Sequence, residues 1–188
     1  MSLDVWTWPE RAGGLARLLV PYIFIALFFV LDLVPVHIPP FGEIRPCFSI
    51  MSVFYWAVYR PTLIPNWFVF GLGLTLDLVS GIPLGINAFI FLLVYWIISD
   101  QRRVFVGQPF VTVMIGFALV LSISNFLRWF LFSVLSGVWP PLLPVLGVIL
   151  SGLFIFPLIS MLLYTIHKIL PEQATPIMRS HKMAKLRK

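Results

Sequence analysis

The sequence predicts an all-α membrane protein, a bundle of six transmembrane helices without a soluble domain. Apolar residues make up 60% of the 188 residues and charged residues 11%, whereas soluble domains average about 45–50% and about 25%. The mean hydropathy is +1.01, so most side chains need lipid around them. The apolar runs, such as 22–31, do not alternate between apolar and polar residues. Because a backbone in lipid must satisfy its own hydrogen bonds, we expect helices.

Six apolar runs bounded by proline, glycine or charged residues mark the predicted spans. They cover approximately residues 18–36, 46–59, 62–79, 84–99, 109–135 and 142–166. A helix needs about 20 residues to cross the hydrocarbon layer. The second run is shorter and would rise only about 21 Å. It must therefore thin the bilayer, be extended at its ends or lie protected among neighbouring helices.

The basic residues set the predicted orientation. With six spans, 11 of the 13 Lys and Arg residues fall on one side of the membrane. These are Arg11, Arg17, Arg60, Arg102, Arg103, Lys168, Arg179, Lys182, Lys185, Arg187 and Lys188. Cytoplasmic loops carry the excess of positive charge, so both termini are expected in the cytoplasm of a bacterial inner-membrane protein. Five spans would separate the two basic termini and weaken this asymmetry.

This topology divides the chain into three parts. We expect a cytoplasmic N-terminal segment over 1–17, a transmembrane domain over 18–168 and a basic cytoplasmic tail over 169–188. The net charge of +6 is concentrated at span ends, which indicates headgroup contact and orientation rather than nucleic-acid binding. As an alternative to headgroup contact, we expect the basic tail to dock on a cytoplasmic partner.

The sequence offers no pattern for a metal, a cofactor or a catalytic centre. Cys47 is the single cysteine, and the three histidines, His37, His167 and His181, are far apart along the chain. Neither the spacing of a zinc site nor a phosphate-binding loop is present. We therefore predict a non-enzymatic protein without cofactor or metal.

Ionisable residues inside the predicted spans are the candidate functional residues, because a charge in lipid is costly unless it is paired. They are Asp32, Asp77 and Arg128, and all three fall near the predicted outer interface. Asn87 lies at a similar height, and Asn125 shares the helix face of Arg128. We expect Arg128 to pair with Asp77 or Asp32, which leaves one acid to be neutralised or hydrated. The pair either fixes helix packing, belongs to a polar cavity for a ligand or ion, or meets headgroup water.

Small residues and two motifs complete the pattern. Gly71, Gly73 and Thr75 give the third span a thin side that favours close helix packing. The stretch 45–65 contains Arg45-Pro46, Tyr55-Trp56 and Tyr59-Arg60-Pro61. The stretch 71–88 contains Gly71-Leu72-Gly73 and then Asp77-Leu78-Val79-Ser80-Gly81-Ile82-Pro83-Leu84-Gly85-Ile86-Asn87-Ala88. Together these two motifs resemble the MreD family of bacterial rod shape-determining proteins.

The resemblance implies a fold, partners and site residues. It implies the six-helix fold of the substrate-binding subunits of energy-coupling factor transporters, with a short second span. It implies a scaffold subunit of the cell-elongation complex, or elongasome, that is a partner of MreC. It also implies that this subunit acts with MreB, RodZ, RodA and the RodA-associated transpeptidase in lateral peptidoglycan synthesis. The residues carried over with a structural or partner-binding role are Arg60, Pro61, Asp77, Gly81, Pro83, Leu84 and Gly85.

Two other functions stay open at this point. In a transport or small-molecule-binding subunit, Asp32, Asp77, Asn87 and Arg128 would line an outward pocket. A membrane enzyme acting on lipid-linked substrates would need clustered catalytic groups near an interface. The cytoplasmic loops offer arginines and Asp100 but no His/Asp/Glu constellation, which disfavours the enzyme.

Overall fold

The computed structural model describes the backbone of residues 8–38 and 42–169, with side chains from 20–35 and 45–166. The described residues form six α-helices and one short β-hairpin. The helices are α1 (Trp8–Asp32), α2 (Phe48–Tyr59), α3 (Asn66–Ser80), α4 (Ile86–Gln101), α5 (Phe110–Ser136) and α6 (Leu143–Ile169). The predicted helical class is confirmed.

The sequence analysis did not anticipate the hairpin between α1 and α2. Strands β1 (Val36–Ile38) and β2 (Gly42–Ile44) pair antiparallel, with His37 opposite Glu43. Pro35 ends the helical path in this segment, because proline lacks the amide hydrogen that a continuing helix needs. The first span was predicted to run to residue 36, but α1 ends at Asp32.

The remaining boundaries agree with the predicted runs to within a few residues, apart from the start of α1. That helix begins at Trp8, inside the segment that was expected to precede the membrane domain. The third helix begins only at Asn66, because residues Pro61–Leu63 form a separate 3₁₀ turn. The predicted basic tail beyond Ile169 lies outside the described residues.

The short second helix is the centre of the bundle. Every residue from Ser49 to Val58 is buried, and α2 contacts α1, α4, α5 and α6. Its rise is about 18 Å, well below the thickness of the hydrocarbon layer. The structure therefore shows α2 protected among neighbouring helices, which was one of the three expectations for this run.

Helices α3 and α4 approach each other closely at Gly73. A Cβ atom at this position would lie 2.5 Å from the Cα atom of Ala88 and 2.7 Å from the carbonyl carbon of Asn87. Only glycine fits such an approach, whereas a Cβ at Gly71 would meet nothing within 4 Å. The predicted thin side of α3 therefore includes one true packing position, Gly73.

The outer surface of the bundle is apolar, as a lipid environment requires. Large hydrophobic side chains on several helices are well exposed, among them Trp67 at 74%, Phe154 at 83% and Met161 at 72%. By length and hydropathy, α5 and residues Leu143–Ile166 of α6 are long enough to cross a membrane, while Val20–Asp32, α2 and α3 are shorter apolar helices. A water-soluble monomer rarely exposes so much contiguous apolar surface.

Candidate functional site

Asp32, the last residue of α1, caps the beginning of α2. Its carboxylate is buried, and its Oδ1 atom accepts the backbone N–H of Phe48 at 2.6 Å. The Oδ2 atom accepts the N–H of Ser49 at 2.8 Å. These are two of the amides that the first turn of a helix leaves without a partner inside the helix.

Asp77 plays the same part between α3 and α4. Its side chain is completely buried, and it accepts the backbone N–H of Gly85 at 2.9 Å and of Asn87 at 3.0 Å. The side-chain amide of Asn87 adds a bond of 2.9 Å, and the N–H of Ala88 lies 3.4 Å away. One carboxylate therefore accepts N–H groups from Gly85, Asn87 and Ala88 at the start of α4.

These two contacts explain how a pair of acids is tolerated inside the bundle. A helix N-terminus carries roughly half a positive charge, and carboxylates that accept backbone N–H groups form strong, charge-assisted bonds. We call the end of the bundle that holds Asp32, Cys47, Asp77, Gly85 and Asn87 the capped end. At this end both acids are stabilised mainly by amides of the following helix.

Arg128 projects from α5 into the capped end without meeting either carboxylate directly. Its Nε atom donates to Asn87 Oδ1 at 2.8 Å, and its Nη1 atom donates to Asn125 Oδ1 at 3.2 Å and to Cys47 Sγ at 3.3 Å. Among the described side chains, the expected direct pair with Asp77 or Asp32 is absent. That prediction is wrong because helix amides already occupy the carboxylates and Asn87 lies between Arg128 and Asp77.

Cys47 lies directly before α2, beside Arg128, and has an unusual backbone conformation. It precedes the first residue of α2 with φ 60° and ψ 47°, a left-handed conformation that costs a residue with a side chain roughly 1–2 kcal/mol. The thiol lies 3.8 Å from Asn125 Oδ1 as well as 3.3 Å from Arg128. Sequence reasoning treated this cysteine as unremarkable, and no local signal predicts its place beside Arg128.

A small cavity opens among these groups. Its volume is about 150 Å³. The polar residues of its lining are Asp32, Arg45, Cys47, Ser80, Asn87 and Arg128. Arg45 reaches it from the segment before α2 and donates to Ser80 Oγ at 3.0 Å. The structure thus gathers Asp32, Asn87, Asn125 and Arg128 in one polar region, with Asp77 joined to it through Asn87.

The turn between α3 and α4 depends on two glycines in the left-handed region. Gly81 ends α3 with φ 67° and Gly85 precedes α4 with φ 99°, and such positions favour glycine because it has no Cβ. Pro83 and Leu84 lie between them, and Leu84 is exposed. The motif 77–85 therefore forms the turn between α3 and α4, and Asp77 accepts the N–H of Gly85 across it.

The other end of α2 is held by two tyrosines that the sequence analysis did not identify. The hydroxyl of Tyr95 in α4 lies within hydrogen-bond distance of the carbonyl groups of Pro61 and Ile64, the latter at 2.6 Å, and they share its single hydrogen. Tyr22 of α1 donates to Leu63 O at 2.5 Å. The turn that begins at Arg60, whose N–H binds Trp56 O at 2.8 Å, is thereby tied to two other helices. Tyrosine hydroxyls inside apolar helices seek such acceptors, but the acceptors could not be named from the sequence.

The chemistry available in the described region is structural and electrostatic. Within it, no group of three or more His, Cys, Asp or Glu side chains is arranged to hold a metal ion. The carboxylates Asp32 and Asp77 are occupied by backbone amides. The polar groups of the capped end therefore fix helices and surround a small cavity.

The apolar exterior, the membrane-length helices and the internal capping network define a helical membrane protein. A family model described as rod shape-determining protein MreD matches residues 13–166. Because the match spans most of the chain, the protein belongs to the MreD family, and the resemblance carried by the two motifs is confirmed. No curated protein and no solved structure matches the chain. The family defines a membrane protein that determines rod shape.

Proposed function

We propose that the chain is a non-enzymatic subunit of the cell-elongation complex. In this role it links MreC and the MreB cytoskeleton to lateral peptidoglycan synthesis, in one assembly with RodZ, RodA and its transpeptidase. The proposal rests on the family match over residues 13–166. The structure supports the proposal because the capped end serves to hold helices together. Action on the cell wall would then have to pass through partner proteins.

The proposed topology has six spans, with both termini in the cytoplasm of the bacterial inner membrane. Asp32, Asp77 and the start of α4 lie together at the capped end, while the turn after Arg60 lies at the opposite end of α2. This arrangement is consistent with helices that alternate in direction. The positive-inside rule then places the turn after Arg60 on the cytoplasmic side and the capped end on the outer side.

Depletion of the protein in a rod-shaped host tests the function. We expect cells to round up and to lose lateral incorporation of a fluorescent cell-wall precursor, and the wild-type chain should restore both. An Asp77→Ala variant should restore neither fully, whereas Asp100→Ala, which changes an exposed acid, should behave as the wild type does. Unchanged cell shape together with a nutrient-uptake defect would contradict the proposal.

A small-molecule-binding subunit is the second candidate, and the cavity at the capped end is the observation that favours it. Its volume of about 150 Å³ is well below the roughly 300–1,000 Å³ of sites that enclose a drug-sized ligand, and only the open groove beside it, of about 320 Å³, reaches that range. The predicted likeness to energy-coupling factor subunits therefore stays a prediction about the fold. Mass spectrometry of the purified protein for a retained vitamin-sized compound distinguishes the two functions, since the scaffold should carry none.

A further inference from the structure

Two guanidinium groups face the cavity of the capped end without a carboxylate partner among the described side chains. Arg128 donates to two amide oxygens and one thiol, all of them neutral acceptors. The Nη2 group of Arg128 has no acceptor within the described part of the chain. Arg45 lines the same cavity and donates to the neutral Ser80 hydroxyl. A cation held near lipid by neutral groups alone favours an additional anion.

The acids at this end do not supply that anion. Both oxygens of Asp77 accept amides at the start of α4, and both oxygens of Asp32 accept amides at the start of α2. Each carboxylate is thus balanced largely by a helix N-terminus. Asp32 lines the same cavity, but among the described side chains neither Arg45 nor Arg128 forms a direct ion pair with a carboxylate.

An apolar groove adjoins this cationic cavity. The groove has a volume of about 320 Å³ and shares Arg45, Ile82 and Arg128 with the cavity. Its remaining wall is formed by α5 and α6 and is mostly apolar. Trp129, Phe132, Pro144, Val145 and Val148 contribute to it. The polar cavity that Arg45 and Arg128 line therefore continues into an apolar groove on the outside of the bundle.

Two tryptophans lie next to this site. The Trp129 indole donates to Pro140 O at 3.0 Å, and its ring centroid lies 5.4 Å from that of Trp139. Tryptophan residues are enriched at the membrane interface. Arg128 precedes Trp129 directly, so we expect its guanidinium close to the level of the lipid phosphates.

We propose that the capped end binds an anionic phospholipid, with the phosphate between Arg45 and Arg128 and one acyl chain in the groove between α5 and α6. Guanidinium groups bind phosphate through paired N–H donors. A cavity of about 150 Å³ has room for a group about as large as benzene, which suits a phosphate with its nearest carbon atoms. The apolar groove then accepts the chain that the phosphate carries. This site goes beyond the proposed function and does not depend on it.

Thermal unfolding of the purified full-length protein in a neutral detergent tests the site. The probes are short-chain phosphatidylglycerol, short-chain phosphatidylcholine and inorganic phosphate, each titrated while tryptophan fluorescence is followed. We expect phosphatidylglycerol to raise the midpoint at concentrations where the other two have no effect. Arg45→Gln should weaken the apparent affinity about tenfold, the loss that follows from removing one charged hydrogen-bonding partner. Arg45 is exposed, so this substitution should leave the fold intact.

Matched variants separate the site from general effects of charge and size. Arg102→Gln removes an exposed arginine from the turn Arg102–Val104 after α4 and should bind phosphatidylglycerol as the wild type does. Val148→Trp fills the groove and should abolish binding, whereas Val134→Trp on an exposed position of α5 should not.

Three results would overturn the proposal. Equal stabilisation by phosphatidylcholine would show a nonspecific lipid effect, and equal stabilisation by inorganic phosphate would show a site for small anions. Equal losses in Arg45→Gln and Arg102→Gln would show only surface electrostatics. None of these results bears on cell shape, so they can be distinguished from a failure of the proposed scaffold function.

Discussion

Replacing Asp77 by alanine removes the acceptor that holds the start of α4. The carboxylate accepts three donors at 3.0 Å or less, namely the N–H groups of Gly85 and Asn87 and the side-chain amide of Asn87. A lost cap costs about 1 kcal/mol, and each buried donor left without an acceptor costs about 1–3 kcal/mol. Because the neighbouring groups relax in part, we expect a loss of about 3–4 kcal/mol in the free energy of unfolding.

Thermal unfolding in detergent at one fixed scan rate measures this loss. A protein of this size loses about 2–4 °C of melting temperature per kcal/mol, so the midpoint should fall by about 6–16 °C. Asp77→Asn keeps one acceptor oxygen and should fall between the wild type and Asp77→Ala. Asp100→Ala removes an exposed acid and should change the midpoint by no more than about 2 °C.

The same series tests whether the role of Asp77 is capping or ion pairing. If Asp77 mainly neutralised Arg128, Asp77→Asn would be as damaging as Asp77→Ala, and a second substitution Arg128→Met would restore stability. If Asp77 is a cap, Asp77→Asn should be less damaging than Asp77→Ala, and the double variant should be no more stable than Asp77→Ala. A midpoint for Asp77→Ala within 2 °C of that for Asp100→Ala would refute the reasoning altogether.

Three further predictions concern packing, the cytoplasmic turn and topology. Gly73→Ala should destabilise the protein by about 1–3 kcal/mol in the same unfolding assay, because the added Cβ would lie 2.5 Å from a backbone atom of α4. The control Gly71→Ala meets nothing within 4 Å and should be neutral. Tyr95→Phe removes the hydroxyl whose single hydrogen two carbonyl groups share and should cost about 1–3 kcal/mol. The loss should be seen as a lower midpoint and as faster proteolysis at the turn after Arg60. An unchanged midpoint would show that water replaces the hydroxyl. In a variant whose native cysteine is replaced by alanine, a cysteine at Gly137 should react with a membrane-impermeant maleimide in intact cells and a cysteine at Gly107 only after lysis, and the reverse pattern would overturn the proposed orientation.

The helical architecture could be predicted because hydropathy and chain breakers act locally. Runs bounded by Pro, Gly and charged residues gave the positions of the helices, and the cost of a charge in lipid singled out Asp32, Asp77 and Arg128. The β-hairpin escaped notice because its strands are three residues each, too short for a periodic pattern. The tyrosine contacts escaped because they join residues 31–41 positions apart.

The partner of Arg128 was wrongly predicted for a reason that applies to other membrane proteins. Counting residues along a span gives the height of a side chain, and two groups at one height need not face each other. Helix N-termini also carry amides without a partner inside the helix, and the acids were not expected to bind them. The spacing from Asp77 to Gly85, across a Gly-x-Pro turn, was a local signal that could have indicated the cap.

The two caps have a joint mechanical consequence through α5. Asp32 joins α1 to α2, and Asp77 joins α3 to α4, so each pair is a hairpin whose next helix starts from a fixed point. Arg128 bonds to Asn87 in one cap and to Cys47 beside the other. Two connections to other elements meet at this side chain, so α5 adds to the direct packing of α2 on α4 in fixing the relative position of the two hairpins.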